Sequence, residues 1–176
     1  MKELSLHILD IAQNSIKANA KNIEVAVEES KTKNEMVISI TDDGDGMSKE
    51  FLASVRDPFT TTRTTRRVGM GISLFEAAAT QTGGFLEIDS TEGEGTTISA
   101  HFALDSIDRA PLGDMPGTMS ILIQGSPKLD FVYRHKVDDE EFEFDTKQIR
   151  ELLGDVPLDT PDVLEWIRGY IEQTNL

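Results

Sequence analysis

Cysteine is absent from all 176 residues, so neither a disulfide framework nor a thiolate metal site can organise this chain. Aromatic residues make up 6%, with a single tryptophan, and the core must rest mainly on aliphatic side chains. No apolar run approaches the roughly 20 residues of a membrane span, and nothing near Met1 has the apolar centre of a secretory signal. Cationic side chains are few: 17 Lys and Arg against 32 Asp and Glu give a formal charge of -15. Such a surface repels polyanions, which argues against non-specific nucleic-acid or anionic-membrane binding, and a cytoplasmic location is the default expectation. The acidity is shared, with 10 basic and 16 acidic side chains up to Leu104 and 7 and 16 beyond it. Arg63, Arg66 and Arg67 form the one dense basic cluster.

Four short segments stand out against this background. Ile8, Ile11, Ala12 and Ile16 recur at helical spacing and predict a helix over about residues 5–20. Asp10, Asn14, Lys17 and Lys21 recur on another stripe of it, where side chains four apart lie one above the other. That stripe reads either as a solvated polar face or as a carboxylate, an amide and an ammonium aimed at one ligand. Two strands follow, around Ile23–Val27 and Met36–Ile40, and lead into Asp42, Asp43, Gly44, Asp45 and Gly46. A calcium loop is excluded there, because Leu52 stands where the bidentate glutamate is required. An acidic turn and a functional carboxylate at a strand end both remain. Third come Gly69 and Gly71 ahead of a helix expected from Ile72 to about Thr82, suited to a phosphate at the helix start but lacking a Walker lysine. Fourth, Phe85–Asp89 and Thr97–Phe102 read as a hairpin across the glycine-rich turn Glu92–Gly95, with Thr96 just after it.

In this order the four segments resemble the motif boxes of the GHKL superfamily, whose ATP-binding domain is known as the Bergerat fold, and the resemblance covers about residues 2–104. Asp57–Arg63, the short lid, Gly69–Ser73 and Lys17 are most similar to the histidine-kinase branch. The resemblance implies an α/β two-layer sandwich, a mixed sheet with helices on one face, that binds Mg-ATP. Asn14 would hold Mg²⁺ through its carbonyl oxygen, and Asp42 would accept from the adenine amino group with support from Thr96. Gly44 and Gly46 would shape that loop, Lys17 would face the phosphates, the amides of Gly69 to Gly71 would close over them, and Arg63 stands in the lid. Asp10, where a relative that hydrolyses ATP carries a glutamate, would be the base. Few residues precede the first box and His7, His101 and His135 read as ordinary structural histidines, so phosphotransfer is expected in trans to a partner protein. The alternative is an ATP-switched binding module with slow hydrolysis.

The expected organisation is an ATP-binding domain over residues 1–104, a linker over 105–117 rich in Pro and Gly, and a small α+β extension over 118–176 of no recognised family. Within the extension, strands are expected at Met119–Gln124, Asp130–His135 and Glu141–Phe144. Helices are expected at Thr146–Leu153 and from Pro161 to about Gln173.

Overall fold

The computed structural model describes residues 2–55, 67–174 and 176, and of residues 67–69 the backbone alone. In chain order the elements are α1 (Leu4–Lys17), β1 (Asn22–Ser30), β2 (Glu35–Asp42), α2 (Lys49–Ser54), α3 (Arg67–Thr80), β3 (Phe85–Thr91) and β4 (Gly95–Ala103). They continue with α4 (Met115–Gly125), β5 (Asp130–Val137), β6 (Glu140–Asp145), α5 (Thr146–Leu153) and α6 (Pro161–Glu172). The described strands form one six-stranded sheet in the order β3-β4-β2-β1-β5-β6. Its pairs are antiparallel except β1 with β5, which run parallel.

Alternation within each strand decides which face is covered. Register aligns Ile98 with Ile40, Ile40 with Val25, and Val25 with Tyr133, so one apolar row crosses four strands. A second row joins Ala100, Ile38 and Val27. These residues are buried, and the helices lie over them: α1 presents Leu4, Ile8, Ile11 and Ala12, and α3 presents Ile72, Phe75 and Ala79. The opposite face is polar, with Ser39 bonded to Ser99 at 3.0 Å and Arg134 bridging Glu24 and Glu143 at 2.7 and 2.9 Å. This is the expected two-layer arrangement.

The sheet runs across the boundary expected at Leu104, because β5 continues it beside β1. Residues 105–114 lead from β4 to the amino-terminal end of α1, with Ala110 buried and the Arg109 side chain donating to the Leu104 and Ala110 carbonyls. The strand expected at Met119–Gln124 is instead part of helix α4. A short apolar run does not distinguish a strand from a largely buried helix, and here the flanks decide. Asp114 caps the helix by accepting from the Gly117 amide at 2.8 Å, and Pro116 occupies its first turn. The helix is wedged between α1 and α6, which explains burial of Met119, Ser120, Leu122 and Ile123, while Ile121 and Gln124 form an exposed stripe.

His7 is buried on α1, stacked on Phe75 at a ring distance of 5.6 Å, and its Nδ1 has no partner among the described residues. Burial, and then the Lys2 ammonium, lower its pKa from 6.5 to about 4 against an upward pull from Asp10. The unfolded chain therefore takes up this proton at a higher pH than the folded chain. The stability gained from a neutral His7 is complete above pH 6.5 and disappears as pH falls through about 4. His7→Phe is expected to flatten the dependence of the urea midpoint on pH within that window.

Candidate functional site

Asp42 and Thr96 end the core-facing rows of β2 and β4 and are register partners across the two strands. They stand where the sheet emerges from beneath α1. Asp42 Oδ2 accepts from Ser15 Oγ on α1 at 2.5 Å, and its Oδ1 accepts from the Gly44 amide at 2.9 Å. A carboxylate has about four acceptor positions, so Asp42 keeps capacity for a further donor from the cleft. Thr96 is fixed by Ser90, whose hydroxyl lies 2.8 Å from Thr96 Oγ1 and also accepts from the Met47 amide at 2.8 Å.

Gly46 closes this loop with φ of +72°. A Cβ there would lie 2.1 Å from the Thr91 carbonyl oxygen, a backbone atom that cannot swing away. Gly46→Ala is therefore expected to destabilise the protein by about 2 kcal/mol or more, read as a lower urea midpoint.

A cavity of about 360 Å³ opens beside Asp42 and Thr96, with Ile11, Met47, Ile72 and Ile98 among its walls. That volume lies in the range of about 300–1,000 Å³ usual for small-molecule sites, and a flat heteroaromatic ring with a polar edge fits apolar walls around one carboxylate. An adjoining cavity of about 300 Å³ is lined by Asp10, Gln13, Asn14, Lys17, Met70, Gly71 and Leu74. Asn14 and Lys17 border both. Lys17 is exposed and has no ion pair among the described residues, which suits it to an anionic ligand. The Asn14 side chain carries a neutral amide oxygen, a ligand type of the kind that hard divalent cations accept.

The stripe read on α1 thus meets one cleft for Asp10, Asn14 and Lys17, but not for Lys21. The helix ends at Lys17, Asn19 turns the chain with φ of +67°, and the Lys21 amide donates to Asp43 at 2.7 Å. Asp43 is committed to this corner, accepting also from the Asn22 amide and side chain at 2.9 and 2.8 Å. Gly69 and Gly71 lie inside α3, which begins at Arg67 and not after them. Gly71 faces α1, where a Cβ would stand 3.6 Å from Asn14 Nδ2 and 3.8 Å from Asp10 Cβ. The expected lid with Arg63 and Arg66 lies outside the described residues, as does the Arg67 side chain. Ser15 and Ser90 were not legible as site residues. Ser15 adjoins Asn14 on the buried side of the helix, and a buried serine there signals a polar partner beneath it.

Residues 2–106 match the family described as histidine kinase-, DNA gyrase B- and HSP90-like ATPases. The chain belongs to this family, and the cleft between α1 and the end of β2 is in its ATP-binding domain. It is 34% identical over 101 residues to the non-motile and phage-resistance protein of Caulobacter vibrioides, covering 52% of this chain and 12% of that protein. It is 30% identical over 104 residues to sporulation kinase C of Bacillus subtilis, covering 59% and 24%. A sensor histidine kinase of Escherichia coli, ZraS, is 26% identical over 106 residues, covering 60% and 23%. The chain thus spans at most about a quarter of the length of these relatives. A crystal structure of the N-terminal domain of a DNA repair protein shares the fold, with a TM-score of 0.57 at 15% identity over 88% of this chain and 58% of that one. No helix of the described residues is long and apolar enough to cross a membrane.

Proposed function

We propose that this chain binds Mg-ATP with adenine against Asp42 and the phosphates against α1, and passes the γ-phosphoryl group to a partner protein in trans. One observation carries the reading: Asp10, Asn14 and Lys17, on one face of α1, line a single cavity that adjoins the cavity of Asp42 and Thr96. Asp42 accepts from the adenine amino group, and Thr96, held by Ser90, supports the same edge. Lys17 neutralises phosphate charge, while Asn14 holds the magnesium ion by its carbonyl oxygen. Bound magnesium supplies charge neutralisation at the transferring group. Asp10 takes the proton from the acceptor as its oxygen or nitrogen bonds to phosphorus and the bond to the bridging oxygen of ADP breaks. The relatives named as kinases favour transfer to a protein. Water is the basal acceptor, and the carboxylate of Asp10 favours a second reading, an ATP-switched binding module with slow hydrolysis.

The test is incubation with Mg-ATP labelled on the γ-phosphate, alone and with a histidine-bearing helical-hairpin domain of a sensor kinase. Label on the added domain supports transfer in trans, and label only in free phosphate supports the switch. Label in neither, together with no binding of ATP, would overturn the assignment of the cleft.

A further inference from the structure

The amino-terminal segment reaches the Asp10 end of the cleft. Lys2 Nζ lies 3.0 Å from Asp10 Oδ2, with the two side chains 38% and 46% exposed. An ion pair so open to solvent contributes little to stability. Its consequence lies instead in orientation: an aspartate on a helix surface turns about its side-chain torsions, and an ammonium held on one oxygen leaves the other directed elsewhere. His7, one turn before Asp10 on α1, is kept neutral by burial and does not compete as a cation at neutral pH.

The position of Lys2 is not set by α1 alone. The first two amides of the helix, which have no partner inside it, are used by the segment after β4: Leu4 donates to the Pro111 carbonyl at 3.0 Å and Ser5 to the Leu112 carbonyl at 2.7 Å. Gly113 then turns with φ of +89° so close to the amino terminus that a Cβ would fall 2.4 Å from Glu3 Oε2 and 2.5 Å from Ser5 Oγ. The chain continues into α4, which packs on α1. Residues 111–113 therefore clasp residues 3–5 and leave Lys2 beside Asp10.

We propose that Lys2 is a positioning residue for Asp10, and that the clasp Pro111–Gly113 holds Lys2 in place. The segment beyond β4 thereby acts on the phosphate end of the cleft without contributing a side chain to it. The inference rests on the reading of Asp10 as proton acceptor. A base must present its free oxygen to the departing proton, and a small angular error there lowers the rate while leaving ground-state binding of nucleotide intact.

Lys2→Met, Lys2→Arg, Gly113→Ala and the Lys2→Met/Gly113→Ala pair are compared with Asp10→Asn in the full chain. Lys2→Met is expected to lower kcat for phosphate release about three- to fivefold, the most that an exposed ion pair can bias the Asp10 orientation, with KM for ATP unchanged. Lys2→Arg restores most of the rate, because a guanidinium can pair with the same oxygen. Gly113→Ala lowers kcat by a similar factor, and the pair falls no further than Lys2→Met alone, since both act through one contact. Without nucleotide, the ¹⁵N resonance of the Lys2 ammonium is expected to move in Asp10→Asn and equally in Gly113→Ala. An unmoved Lys2 resonance in Asp10→Asn would overturn the proposal. So would an unchanged kcat in Lys2→Met when Asp10→Asn abolishes release. If Asp10→Asn leaves release unchanged while the Lys2 resonance still moves, the reading of Asp10 as base fails and the positioning role falls with it.

Discussion

Asp42→Asn is expected to weaken ATP binding about 10- to 100-fold, a change on the order of 1.5–3 kcal/mol. The size follows from what already surrounds the carboxylate. Its Oδ1 accepts from the Gly44 amide and its Oδ2 from Ser15 Oγ, so both oxygens face donors before adenine arrives. An asparagine has one acceptor oxygen and two N–H donors. Turned with its N–H toward the Gly44 amide it sets a donor against a donor; turned toward Ser15, whose hydroxyl can rotate to accept, it still removes one of the two oxygens able to meet the adenine amine. GTP encounters the converse problem in the native site, because guanine presents an oxygen where adenine has its amino group. A preference for ATP over GTP of at least about tenfold is expected from the unmade bond. Titration calorimetry with both nucleotides measures both effects. Normal ATP binding by Asp42→Asn would show that the carboxylate does not meet adenine.

Asp10→Asn is expected to separate binding from turnover. The side chain lines the cavity it shares with Asn14 and Lys17 and not the one beside Asp42, so Kd for ATP is expected to stay close to that of the native protein. Loss of a positioned base lowers phosphate release by about 100- to 10,000-fold. The measurement is a single-turnover time course with γ-labelled ATP beside an equilibrium binding titration. An equal fall in affinity and rate would point to a role in binding, and an unchanged rate would remove Asp10 from the chemistry. Comparison with Asn14→Ala sharpens the result, because that substitution removes the proposed magnesium ligand and should weaken binding only when magnesium is present.

Which side chains meet in the cleft is largely legible in the sequence, because their placement follows from local pattern. The spacing of Asp10, Asn14 and Lys17 within one helix puts them on one face whatever the helix packs against. Strict alternation in β2 placed Asp42 in the same row as Met36, Ile38 and Ile40, and the hairpin placed Thr96 at the start of the facing strand. The failures have equally definite causes. Lys21 kept the helical spacing but lay past the point where Asn19 turned the chain. The apolar run from Met119 was helical because its cap and its place between two helices outweighed a β-branched residue pattern too short to decide.

The amino-acid sequence by itself determined the family, the apolar face of each element and the residue types at the cleft, since these follow from periodicity, turn chemistry and short motifs. Only the tertiary structure decided that β5 lies parallel to β1, that Ser15 and Ser90 bond to Asp42 and Thr96, and that the Pro111 and Leu112 carbonyls accept from the first amides of α1. Such contacts join residues far apart in the chain. They are selected by burial of a common core and by the need to satisfy backbone donors at a helix end, which no local window of sequence contains.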